Sequence, residues 1–219
     1  MNSTDNAPPS GFAALRQRCS TLATTMFAPL RAHPWTCAAF LAALVVTGMF
    51  VRLMGRSWLG PDGRFGFWES SIWSSECSQR LADAYSFSHF VHGILFYAVL
   101  WMVARRLPLR SRFLLAVLLE AGWELLENSP IIINRYRQTT IALGYDGDSI
   151  LNSLSDIVTM SLGFAFAWRV RPWITVAVVL ALEIGCALWV RDNLTLNIIM
   201  LLHPVEAIKT WQMGVQPPM

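Results

Sequence analysis

Three short runs in this chain combine acid or histidine with apolar residues at helical spacing. His89 and His92 are three apart in SFSHFVHGILFYAVLW. Glu120, Glu124 and Glu127 follow an i, i+4, i+7 pattern in FLLAVLLEAGWELLEN. Asp148, Asn152 and Asp156 follow i, i+4, i+8 in GDSILNSLSDIVTMSLGFAFAW. On an α-helix each set falls on one face, the last a broad one. Two imidazoles with several carboxylates are suitable ligands for zinc or another divalent transition metal. The candidate metal ligands are His89, His92, Glu124 and Asp156. The candidate catalytic carboxylates are Glu124, Glu127, Asp148 and Asp156, with Glu127 and Asp148 placed to orient a reactant or shuttle protons. Two other readings stand beside this one. The same residues could form a structural network across helices, completed by Arg52, Arg135 or Arg137, or a polar ligand pocket without metal.

The elements that carry these groups are membrane-length and apolar. The chain has 219 residues, of which 54% are hydrophobic and 14% charged, with ten tryptophans. Its mean hydropathy is +0.43. That balance is too apolar for an ordinary soluble domain and places the chain in the membrane class. An ionisable side chain costs a few kcal/mol in hydrocarbon on insertion scales, about 2.5–3.5 each, so such groups face protein or a water-filled cavity. A net charge of +3 provides no reason to expect a nucleic-acid partner.

Hydropathy predicts an all-α, polytopic transmembrane bundle with five spans, near 35–52, 86–104, 112–132, 149–168 and 173–190. The segment 194–202 is too short to cross alone and would make a sixth span only if it inserts with its neighbours. The N-terminal tail, the loop 105–112 and the pair Arg169/Arg171 hold nine arginines against Asp5 alone. The positive-inside rule then puts the N-terminus in the cytoplasm. The expected organisation is a cytosolic tail over 1–34, with an interfacial helix near 11–30, and one transmembrane domain over 35–219. No cleavable leader pattern follows the first apolar run.

The aromatic-rich loop 56–85 is expected outside, with 74–85 helical. The loop 129–148 is expected to turn through GYDGD into the fourth span. On these placements nearly all the polar residues lie in the outer half of the bilayer and can share one pocket. The four cysteines, Cys19, Cys37, Cys77 and Cys186, show no CxxC or zinc-ligand spacing.

HFVHG, EAGWELLENSPIIINRYR and GYDGDSILNSLSDIVTM together resemble a family of bacterial multi-pass inner-membrane proteins, uncharacterised protein family 0314 or domain of unknown function 2585. The resemblance covers about residues 36–215. It implies a cell inner membrane location and carries no established activity.

Two function classes follow. One is an intramembrane, metal-dependent hydrolase or transferase acting on a lipid-linked or envelope substrate. The other is a non-enzymatic scaffold or assembly partner, or a carrier of a small ligand or ion. Both have the lipid bilayer as a partner, and the second adds a membrane protein. Access separates them: an enzyme needs water and substrate at the polar cluster, and a scaffold seals it.

Overall fold

A computed structural model describes residues 33–142 and 144–214. Among them lie eight helices: α1 (Pro34–Leu53), α2 (Ser86–Val103), α3 (Leu109–Glu127), α4 (Pro130–Thr139), α5 (Ile150–Arg169), α6 (Pro172–Trp189), α7 (Leu194–Leu202) and α8 (Glu206–Met213). No strand forms among the described residues beyond an isolated bridge between Trp68 and Ala82. The expected tail over 1–34, its interfacial helix and Cys19 lie outside the described residues, apart from His33 and Pro34.

Local sequence explains where helices begin. Proline occupies the first turn of α1, α4 and α6, where its missing N–H has no helical partner to lose. The Ser149 hydroxyl caps α5 by accepting from Asn152 N at 3.1 Å, and Asn193 caps α7 by accepting from Leu196 N at 2.8 Å.

Helices α1, α2, α5 and α6 are long and apolar enough to cross a membrane by length and composition. Helix α3 has 19 residues, a comparable length, but carries Arg110, Arg112, Glu120, Glu124 and Glu127. Helix α6 has 6% of its span buried in the protein and exposes Val176, Leu180, Ile184 and Leu188. Its outward face therefore calls for an apolar surrounding.

Three details correct the expected boundaries. The third apolar segment does not run to residue 132. It ends at Glu127, because Pro130 breaks the α3 ladder and opens α4. That new helix occupies half of what reads as a loop. The stretch 74–85 is a series of turns, not a helix. There Asp83 accepts backbone hydrogen bonds from Ser78 at 2.6 Å and Tyr85 at 2.8 Å, and Ser78 adopts φ 59°. A carboxylate collecting N–H groups on both sides competes with helical pairing.

The bundle is tightest between α2 and α5. A Cβ added at Gly93 would overlap the Met160 carbonyl, and one added at Gly163 would overlap the Phe90 carbonyl. Two glycines, one on each helix, thus let the backbones touch. Beneath that contact, Leu100, Phe113, Ala116, Val117, Ile157, Met160 and Phe164 form a buried apolar core joining α2, α3 and α5. Helix α1 packs on this core through Phe40 and Leu44. The core fills one end of the bundle and leaves the histidines and carboxylates toward the other.

Candidate functional site

His89 lies in the first turn of α2, one turn before Gly93. The glycine contact holds that turn against α5, and His89 Nε2 comes within 3.7 Å of Asp156 Oδ2. Helix α3 closes the third side. His89 Nδ1 lies 2.6 Å from Glu120 Oε1 and 3.6 Å from Glu124 Oε1. His92 Nδ1 is 3.1 Å from both Glu120 oxygens. All five side chains are therefore within one cluster. Glu120 and Glu124 have no exposed surface, and His89 and Asp156 retain 7% and 4%.

Both imidazoles turn Nδ1 toward the Glu120 carboxylate. With that carboxylate ionised, each ring donates Nδ1–H, and Nε2 of each ring keeps the lone pair. A carboxylate that fixes tautomer and ring orientation from behind is the usual companion of a metal-binding histidine. Glu120 does this for two rings at once.

Glu124 is different. Neither of its buried carboxylate oxygens has a hydrogen-bond partner. A buried carboxylate without partners carries the full desolvation penalty, so the group requires a cation or a proton. Two sets of three residues each place a potential ligand atom within 4.8 Å of the others: His89, His92 and Glu120, and His89, Glu124 and Glu127. The second set contains the orphaned oxygens. Its residues span two helices and are positioned by packing.

A ring of polar groups supports the cluster. The Ser86 hydroxyl donates to Asp156 Oδ1 at 3.4 Å and accepts from the Asp83 backbone N–H at 3.1 Å. The Tyr136 hydroxyl on α4 is 3.1 Å from Glu127 Oε1 and 3.0 Å from Asn197 Oδ1. Asp148 accepts from the Tyr145 hydroxyl at 2.8 Å and from the Asn128 amide at 3.0 Å. Asn128 also accepts the Asp148 backbone N–H at 2.8 Å, so its amide holds the entry to α5 against the end of α3. Burial pushes the Asp148 carboxyl up to about 6, even though Tyr145 and Asn128 favour its ionised form. Asp192, between α6 and α7, is pushed up to about 6 for the same reason, against hydrogen bonds from Asn193 and Tyr85.

A cavity of about 1250 Å³ reaches this cluster. Its wall includes His89, His92, Glu127, Asp148, Asn152 and Asp156. Glu120 and Glu124 stand behind that wall, in contact with the histidines.

Of the candidate residues, His89, His92, Glu124 and Asp156 converge, and Glu127 joins through its proximity to His89 and Glu124. Asp148 lines the same cavity, tied to the Asn128 amide and the Tyr145 hydroxyl rather than to the histidines. Glu120 belongs to the same glutamate stripe, and spacing alone does not distinguish it from Glu124. Here it is the residue both histidines engage. Asn128, Tyr136, Tyr145 and Ser86 carry no sequence signal beyond being polar near the ends of apolar segments.

Residues 51–214 match the family described as protein of unknown function, DUF2585. A UPF0314 protein of Rhizobium etli is 52% identical over 179 residues, covering 82% of this chain and 90% of the relative. A UPF0314 protein of Sphingopyxis alaskensis is 47% identical over 181 residues, covering 82% and 95%. One from Paracoccus denitrificans is 45% identical over 187 residues, covering 85% and 95%. No solved structure matches the chain.

Proposed function

This chain belongs to the DUF2585 family, and from that premise we propose that it is an intramembrane, metal-dependent hydrolase or transferase acting on a lipid-linked or envelope substrate. The observation that carries the reading is Glu124. Its two buried oxygens make no hydrogen bond and lie beside His89, which itself lines a cavity large enough for a substrate. His89, His92, Glu124 and Asp156 would hold a divalent ion such as zinc. Such an ion supplies a bound water that ionises near neutral pH. Glu120 orients the two imidazoles. Glu127, hydrogen-bonded to Tyr136, would take up or return a proton at the cavity wall. Asp148, held by Tyr145 and Asn128, would serve the same role nearer the mouth.

The proposed setting is the cell inner membrane, with residues 35–219 as one multi-pass domain and the N-terminus in the cytoplasm. Helix α3 is the fifth span. Its Glu120 and Glu124 face the α2 histidines, its Glu127 meets Tyr136 of α4, and its Leu115, Leu118 and Leu119 face outward, which is the arrangement a charged span requires. The aromatic-rich segment before α2 and the polar cluster then share the outer side.

A scaffold or a small-ligand or ion carrier is the competing reading. Cavity access to His89, His92 and Asp156 weighs against a sealed scaffold. Metal analysis of the purified protein decides the central point. The wild type should retain stoichiometric divalent metal after desalting, and the His89→Ala/His92→Ala double variant should lose it. Wild-type protein without metal, even after incubation with zinc, removes the metal-dependent reading.

A further inference from the structure

The cavity is built from two chemically distinct parts. One is the polar cluster just described. The other is an apolar groove formed by Leu95 and Phe96 of α2 and by Leu119, Trp123 and Leu126 of α3. Three of these groove residues also lie on the outside of the bundle: Leu95 is 43% exposed, Leu119 52% and Leu126 45%. The groove therefore opens sideways, along the flanks of two apolar helices. Gly122 lies in it, and a Cβ added there would meet nothing within 4 Å. Water gains nothing from such a groove, whereas a hydrocarbon chain entering from a bilayer loses no apolar contact by moving into it.

At the polar end, Arg56 is the one Lys or Arg among the described lining residues. Its Nε is buried and has no hydrogen-bond partner. Its closest ion pair is a 4.0 Å approach to the largely exposed Asp146. Asp146 already accepts a 2.7 Å hydrogen bond from Arg137. Gly147, whose φ of +90° suits glycine, leaves room for the guanidinium. A Cβ there would come within 2.7 Å of Arg56 Nη1 and 2.8 Å of Asn128 Oδ1. The other nearby arginines are committed: Arg135 Nε donates to the Leu201 carbonyl at 2.8 Å, and Arg137 donates to the Tyr145 carbonyl and Asp146. A planar guanidinium with an unused N–H is suited to phosphate oxygens.

Resting on the intramembrane-enzyme reading, we propose that the substrate class of this cavity is a phosphate-bearing amphiphile. Its hydrocarbon chain enters between α2 and α3, and its phosphate is received by Arg56, which brings the headgroup past His89 and His92. Arg56 is a binding residue in this assignment and takes no part in holding the metal.

Native mass spectrometry of the full chain released from detergent tests this with three probes: dioleoyl phosphatidate, the matched diacylglycerol without phosphate, and inorganic phosphate. Phosphatidate should remain bound, diacylglycerol should be retained at least tenfold less, and inorganic phosphate should bind weakly without the chain. Arg56→Gln should lower phosphatidate retention about tenfold, a change equivalent to 1.4 kcal/mol, and Arg56→Lys should restore part of it. Gly122→Trp, which fills open space, should block phosphatidate and leave inorganic phosphate unchanged. Size-exclusion profile and helical circular dichroism certify that each variant is folded. Equal retention of diacylglycerol and phosphatidate, or an Arg56→Gln variant indistinguishable from wild type, overturns the assignment. Metal content measured on the same samples separates the two ideas. Metal retained with no phosphatidate selectivity sinks the substrate assignment alone, and selective phosphatidate binding by a protein that takes no metal sinks the enzyme reading alone.

Discussion

His89 Nδ1 and Glu120 Oε1 lie 2.6 Å apart across 31 positions of sequence, and both side chains are buried. The contact links the first turn of α2 to the middle of α3, and His92 joins the same carboxylate from one turn further along. Removing the acceptor takes the Nδ1 hydrogen bond from the buried His89 and the half-buried His92. Glu120→Leu should therefore lower stability by roughly 3–5 kcal/mol, the range for breaking a buried pair by removing one partner. Glu120→Gln keeps one acceptor oxygen and should cost about 1–3 kcal/mol. Thermal unfolding in detergent compares them. Equal losses for both variants would show that the hydrogen bonds to the histidines contribute little.

Glu124 should behave in the opposite way. Its oxygens make no hydrogen bond to the protein, and the nearest approach, from His89 Nδ1 at 3.6 Å, lies outside hydrogen-bond reach. Glu124→Leu is expected to abolish metal retention while leaving chelator-treated protein as stable as chelator-treated wild type. In the wild type, zinc at about 100 times its dissociation constant should add about 2.7 kcal/mol, an increment absent from the variant. A variant that still gains stability from zinc would exclude Glu124 as a ligand.

The glycine contact between α2 and α5 is a structural hinge of the site. Gly163→Val pushes a side chain into the Phe90 carbonyl. Overpacking typically costs 1–3 kcal/mol, and a backbone clash belongs at or above the upper end, about 3 kcal/mol. Because the same contact sets the 3.7 Å approach of His89 to Asp156, metal retention should fall with it. Gly122→Ala on α3 meets open space and serves as the control. Similar melting temperatures for Gly163→Val and Gly122→Ala would mean that the helices part without penalty.

Asp192 provides a pH signature. Its folded value is about 6 against an ordinary 3.8, with burial the chief cause. An acid whose affinity for the proton rises on folding carries no penalty below the unfolded value. It loses stability as pH climbs through the window between the two, and the loss is complete above about 6. The window spans about two pH units, so the loss is of the order of 3 kcal/mol. Relative to wild type, Asp192→Asn should gain stability between pH 4 and about 6 and change no further above that. The Asn side chain loses part of the acceptance from Tyr85 and Gln212, which offsets the curve by a constant and leaves its slope. A flat difference curve from pH 4 to 7 would disprove the shift.

Orientation is tested by reporter fusions after Arg106 and after Arg137. The first should report the cytoplasm and the second the opposite side. Both on one side would mean that α3 does not cross.

The amino-acid sequence alone determined the long apolar helices and most of the residues that could do chemistry. Apolar runs of 18 to 20 residues specify α1, α2, α5 and α6 within one or two positions, since hydropathy and helical rise act locally. The i, i+3 and i, i+4 spacings put His89 with His92 and Glu120 with Glu124, because helical geometry is the same everywhere. Only the tertiary structure decided which of those groups meet. Glu120 and Glu124 are one turn apart on the same helix and look equivalent in sequence. Packing places Glu120 against two imidazole donors and leaves Glu124 with none. That difference depends on the depth at which α2 and α5 are pressed together by Gly93 and Gly163, a contact between residues 70 apart. The turns set by Asp83 and the amide bridge of Asn128 are likewise outcomes of competition between local hydrogen bonds or of partners distant along the chain, whereas the break at Pro130 is a local effect of proline. Periodicity says which face of a helix a residue occupies, and only the neighbouring helix says what that face finds.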